Sequence, residues 1–204
     1  MLAELLEIVL IIILTILFIL IDVSVIILLY YYIKDKKKGA KMKLITINGT
    51  LPEIAAILIK NAEGFSATWY QDSMGNNTIG YGFKMGGMAQ KYGLEVYKDK
   101  LMTEQDADII LIKIINEIIA VLQTQLLFFK NLTINQAAVL IDMSYNLGIG
   151  QFYLFYTFLS YMEENRIDNA VADLTTTLWY NQVKNRAIRD CFNLYAKPDN
   201  LYLI

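Results

Sequence analysis

From Ile8 to Ile33 the chain is apolar on every side of any helix that could be drawn through it, and Asp22 is the only charge. About 20 such residues suffice to cross a bilayer, so the run predicts a transmembrane helix, residues 1–33 with their flank. Tyr30, Tyr31 and Tyr32 close it as an interfacial aromatic belt would, and Lys34, Lys36, Lys37 and Lys38 follow. A buried core helix fits least well, because the run is apolar on every face. A cleaved signal peptide fits less well too: Glu4 and Glu7 replace the positive leader region, and the run is too long.

Beyond the run the pattern changes. Residues 34–50 read as a basic linker, and residues 51–204 as one patterned domain. Leu51-Pro52-Glu53 opens a helix, since Pro is accepted in a first turn, and Ile54, Ile57, Leu58 and Ala62 form its apolar stripe up to Gly64. Trp69 to Gly87 is rich in Gly and aromatics and predicts a small antiparallel hairpin sheet. Thr103-Glu-Gln-Asp106 caps a long helix running to about Thr124. Thr133-Ile-Asn-Gln136 is a capping-box pattern that opens another, ending near Leu147. Further helices are expected over 151–164, 167–177 and 184–195. The fold class is therefore α+β: a small hairpin sheet and a mostly helical lobe, joined by the long helix, with a cleft between the two lobes.

Composition removes several chemistries. The chain has no His and one Cys, so His-based general bases, Ser-His triads, most zinc sites and internal disulfides are excluded. Cys191 reads as core. Past residue 43 acidic residues outnumber basic ones. No basic stripe is present to hold nucleic acid. No metal and no cofactor is implied.

What remains is carboxylate chemistry. Glu63, Asp72 and Thr78 fall within one short segment, Glu-Gly-x7-Asp-x5-Thr-Ile-Gly-x-Gly. Glycosidic cleavage needs a protonated carboxyl to donate to the leaving oxygen and a second carboxylate across the sugar. Glu63, at the end of an apolar helix beside Phe65, suits the acid, because partial burial favours a neutral carboxyl. Asp72, in a polar turn, suits the ionised partner. Thr78 would help hold a water, which favours inversion.

This segment resembles the active-site signature of the T-even phage lysozyme family, glycoside hydrolase family 24. Tyr145-Asn146-Leu147-Gly148 is similar to the family's cleft-lining box, and Trp179-Tyr180-Asn181-Gln182-x-x-Asn185-Arg186-Ala187-x-Arg189 to its C-terminal box. The resemblance spans roughly residues 45–198. It implies a lysozyme-like fold and hydrolysis of the β-1,4 bond between N-acetylmuramic acid and N-acetylglucosamine in peptidoglycan. It also implies that Tyr145 and Asn146 contact substrate and that Arg186 lies close to Glu63. Trp179 and Tyr180 read as core. The family commonly carries His after Thr-Ile-Gly-x-Gly, and this chain has Phe83 there. The acidic partner of that His aligns near Ile114, so a polar pair is expected to have become an apolar one.

The expected protein is thus a single-pass membrane enzyme of phage origin. Its expected partners are peptidoglycan, a bilayer through residues 8–33, and virion capsid or membrane proteins, and its place is a viral internal membrane or the host inner membrane. Positive charge after the span predicts a cytoplasmic domain. The alternative is a virion structural or peptidoglycan-binding protein with a lysozyme fold and little activity.

Overall fold

The computed structural model describes residues 42–204, and the expected membrane span over residues 8–33 lies outside them. Among the described residues no helix is long and apolar enough to cross a membrane.

The first element corrects the linker reading. Lys43–Thr46 forms strand β1, paired antiparallel with β5, Asn200–Leu203, in the register Lys43↔Leu203 and Thr46↔Asn200. Ile47 N–H extends the pairing to the Asp199 carbonyl at 2.8 Å. A strand whose partner lies about 150 residues away leaves no local periodicity to find, which is why four residues inside a Lys- and Gly-containing stretch read as linker.

Helix α1, Leu51–Glu63, keeps its predicted bounds. Thr50 caps it with a full capping box: the Glu53 carboxylate accepts from the Thr50 N–H at 2.7 Å. Gly64 stops it at φ 67°, in the half of backbone space that favours glycine. The predicted hairpin region forms a three-stranded sheet in the order β2 (Ser66–Gln71), β3 (Asn77–Gly80), β4 (Phe83–Lys84). Gly87–Tyr92 is a short helix, α2, followed by a 3-10 turn over Leu94–Lys98.

The long helix α3, Glu104–Gln125, and the capping-box helix α4, Ile134–Leu147, both form as expected. Every residue of α4 from Asn135 to Ser144 is buried. It is the axis of the helical part: α1, α3 and a later helix all pack on it. An apolar central helix is ordinary. One that carries Asp142 with no exposure at all is not, and this residue reappears below.

The expected helix 151–164 is two, α5 (Ile149–Phe152) and α6 (Tyr156–Glu163). The break turns Phe155 onto Trp179, ring edge to ring face at 6.1 Å. Helix α7 spans Ile167–Thr176. The expected last helix is preceded by one that sequence reading missed, α8 (Leu178–Val183), and itself forms as α9 (Asn185–Tyr195). Lys184 separates them at φ 45°, a positive value that a side-chain-bearing residue adopts only at some cost. Trp179 and Tyr180 are buried, as the core reading requires, and so is Cys191.

Phe83 is fully buried. Its ring meets Tyr81 edge-on at 6.2 Å, and with the Met102 sulfur it closes over Gly80, where a Cβ would stand 2.5 Å from the ring. Ile114 is buried as well. Both positions are apolar core.

Candidate active site

Helix α1 ends on Glu63, and this end is where three distant parts of the chain meet. The Glu63 Oε1 atom accepts from Arg186 Nη1 of α9 at 2.5 Å. Its Oε2 atom lies 3.4 Å from where a Cβ on Gly82 would stand, and the Tyr145 hydroxyl is 4.0 Å from the same point. Gly82 has φ 92°, a backbone conformation that favours glycine. About a quarter of the Glu63 side chain remains exposed.

Arg186 does not face Glu63 alone. Its Nε and Nη2 atoms donate to Asp142 Oδ2 and Oδ1 at 2.8 and 2.9 Å, a fork-on-fork pair, and Nη2 also reaches the Asp142 carbonyl at 3.2 Å. Arg189, one turn along, donates from Nη2 to Asp142 Oδ2 and to Asp190 Oδ1, both at 2.7 Å. Burial disfavours charge on Arg186, but the Asp142 carboxylate outweighs it and raises the guanidinium above its ordinary value. Burial would likewise neutralise Asp142, and Arg189 and Arg186 together hold it below the usual carboxylate range. Asp190, buried and short of such a fork, is pushed upward by that burial. Sequence reasoning named Arg186 but missed Asp142, Arg189 and Asp190 as members of one cluster. The available signal was Asp142 itself, a charge inside the otherwise apolar run Ala137–Met143.

Asp72 sits in the β2–β3 turn. Its Oδ1 accepts from the N–H groups of Met74 at 2.9 Å and Asn76 at 2.8 Å, and its Oδ2 from Asn76 Nδ2 at 3.0 Å. The Asn76 side chain and then its backbone bring the Asp72 carboxyl down to about 2, with Lys84, 3.5 Å away, adding a little. Asp72 is therefore anionic over the whole neutral range. Thr78 is almost fully buried and donates its hydroxyl to the Asn76 carbonyl at 3.1 Å. Asp72 accepts nothing from Thr78; its own N–H reaches the same Asn76 carbonyl at 2.9 Å, so the two residues are fixed through Asn76. Glu63 and Asp72 share one neighbour, Tyr70. Its phenol is raised above the ordinary range by burial and then by the negative charges of both carboxylates.

Tyr145 and Asn146, the other expected contact residues, each hold a hydrogen bond within the protein. Tyr145 donates its hydroxyl to the Tyr81 carbonyl at 2.7 Å, and burial, then the nearby Glu63 charge, raises that phenol far above its ordinary value. Asn146 accepts the Trp179 indole N–H on Oδ1 at 2.8 Å, yet it also lines a cavity of about 420 Å³ together with Asn61, Glu63, Asn185 and Arg186. A larger hollow of about 670 Å³ lies elsewhere, between β1, α1 and α3. Ile45, Ile47, Ile54, Ile57 and Ile112 are among its lining residues, and its Lys60 and Asp108 are bound to each other at 2.7 Å. Glu53, which also lines it, is held by the Thr50 cap, and Glu63 lines the smaller cavity. Among the described residues no group of His, Cys, Asp and Glu is arranged to hold a metal ion.

A family model described as phage lysozyme matches residues 60–190, a span that includes Glu63, Asp72, Thr78, Asp142 and the two arginines. No curated protein matches the chain.

Proposed function

The chain belongs to the phage lysozyme family, and from that premise we propose that it is a muramidase, an endo-acting hydrolase of the β-1,4 bond between N-acetylmuramic acid and N-acetylglucosamine in bacterial peptidoglycan. One observation carries the residue assignment: a partly exposed Glu63, hydrogen-bonded to a buried arginine, stands on a polar cavity while Asp72 is fixed as an anion in the neighbouring hairpin.

Glu63 is the general acid. Its carboxyl gives a proton to the leaving glycosidic oxygen, and Arg186 holds the carboxyl so that Oε2 is the oxygen left for that transfer. Asp72 lies across the sugar. A carboxyl held at about 2 is a weak base, so Asp72 acts first as a fixed negative charge beside the developing oxocarbenium ion. It orients a water through Oδ2 and takes its proton as the new C–O bond forms. Thr78 offers that water the lone pairs its own donation leaves free. Attack from the far face gives an inverted product.

The N-terminal run completes the reading. Residues 8–33 anchor the enzyme in a bilayer as a single span, with the hydrolytic domain on the cytoplasmic side of a host inner membrane or the outward side of a viral internal membrane. Its role is host entry or lysis, beside capsid or membrane proteins of the virion.

The test uses the full-length chain in detergent with purified peptidoglycan. Released fragments should end in reducing N-acetylmuramic acid, and proton NMR of fresh product should show the α-anomer first. Fragments ending in reducing N-acetylglucosamine, or no fragments, would refute the substrate bond; an initial β-anomer would make Asp72 a nucleophile.

A further inference from the structure

Arg186 presents a difficulty for an acid catalyst. A guanidinium at hydrogen-bond distance favours the anionic form of a carboxyl, and an acid must carry its proton. The surroundings of Arg186 supply an answer. Of its donors, Nε and Nη2 are bound to Asp142, and only Nη1 faces Glu63. Asp142 is fully buried on α4, the central helix, so its charge is not screened by water. It is therefore Arg186's first counter-charge, and Glu63 its second.

Counting the cluster makes the point. Arg186 and Arg189 bring two positive charges, and Asp142 and Asp190 can bring two negative ones, all within a network of contacts of 2.7–3.0 Å. With both aspartates ionised the cluster is neutral without Glu63. With Asp190 protonated, as burial favours, Glu63 completes the balance. One proton can thus reside on either carboxyl while the total charge stays zero.

Resting on the muramidase reading above, we propose that Asp142 is a positioning residue for the hydrolysis: it locks the Arg186 fork and takes up its charge, so that Arg186 holds the Glu63 carboxyl in place without fixing it as an anion. Asp142 touches no substrate. The titratable and charged groups that face Glu63 are Arg186 from α9, Tyr145 from α4 and Tyr70 from β2, with Asp142, Arg189 and Asp190 behind Arg186. Tyr70 and Tyr145 stay neutral through the working range, since both phenols are raised. Asp142 is the group whose charge decides how strongly Arg186 bears on Glu63.

The experiment is Asp142→Asn in the full-length chain, read two ways. The amide keeps the shape and removes the charge. The basic limb of the pH profile of kcat/KM, where Glu63 loses its proton, should move down by more than about 0.3 unit, because Arg186 then has Glu63 as its nearer counter-charge. The Glu63 carboxyl carbon, followed by NMR in protein without substrate, should titrate lower by the same amount. Removing one partner from a buried ion pair can unfold a protein. A second variant, Asp142→Asn with Arg189→Met, removes one charge of each sign, and its limb should also move down. A loss of rate that is even across pH, with both limbs fixed to within about 0.3 unit, would make Asp142 a structural residue and overturn the inference. So would failure of both variants to fold. If the unmutated chain releases no peptidoglycan fragments, the muramidase reading falls, and the carboxyl titration still decides whether Asp142 controls Glu63.

Discussion

Glu63→Gln separates the chemistry from the fold. The amide retains an oxygen where Oε1 now accepts from Arg186, and Arg186 keeps both of its bonds to Asp142. What the folded state loses is the difference between a charge-assisted and a neutral hydrogen bond, roughly 1 kcal/mol before screening. With a quarter of the Glu63 side chain exposed, solvent screening reduces that further, to below about 1 kcal/mol. For a body of this size the melting temperature should fall by no more than about 2–4 °C. The reaction loses its proton donor, which costs on the order of 100- to 10,000-fold, or roughly 3–5 kcal/mol in the barrier. Rate and stability should therefore part by several kcal/mol in a single variant. The assay is reducing-end release from purified peptidoglycan beside a thermal melt of the same full-length preparation. A variant that melts as expected and hydrolyses within about tenfold of the unmutated rate would refute the assignment of Glu63 as the acid.

Three further outcomes are expected. Gly80→Ala should destabilise by about 2 kcal/mol or more, because residue 80 has φ 65° and its new Cβ would stand 2.5 Å from the Phe83 ring; an unchanged melt would show that the ring can move aside. Asp72, lowered from 3.8 to about 2, adds stability that is complete above the ordinary carboxylate range and is lost as pH falls through about 2. Asn76→Ala should return its NMR titration toward 3.8, and an unmoved titration would show that the Met74 and Lys84 contacts suffice. The full-length chain should stay with membranes through carbonate washing, and added protease should digest the domain in inside-out vesicles but not in intact spheroplasts; digestion in spheroplasts would reverse the proposed orientation.

Legibility followed the range of the forces involved. Thr50 with Glu53 and Thr133 with Gln136 are caps three residues apart, and the helices they open appear where the sequence places them. Gly64, Gly75 and Gly80 mark turns for the same local reason. The strand pair β1–β5 was invisible because neither strand has a partner nearby in sequence. The break at Phe155 and the helix at Leu178 were both missed; the contact between Phe155 and Trp179 joins residues far apart in sequence. In the site, Arg186 was read through a resemblance, and the structure brings it to Glu63 across 123 residues. Asp142 escaped because an acidic residue in a helical stretch ordinarily reads as its solvent face; only the burial of α4 shows that this one must be paid for by two arginines. Asn146, expected to meet sugar, spends its oxygen on Trp179, an allegiance that no spacing rule could reveal.

The β1–β5 pairing also gives the domain a mechanical polarity. The strands run antiparallel with Lys43 opposite Leu203, so tension applied through the chain ahead of residue 43 would peel the ladder one rung at a time, where a parallel pull along the strands would load every rung at once. The first rung to open borders Ile204. That residue is stitched to Asn61 on both sides, its carbonyl accepting from Asn61 Nδ2 at 2.6 Å and its N–H donating to Asn61 Oδ1 at 3.1 Å. Asn61 stands two positions before Glu63 on the same helix, and Arg189 reaches its side chain at 3.4 Å. A tug on the leading segment would therefore reach the turn of α1 that carries Glu63.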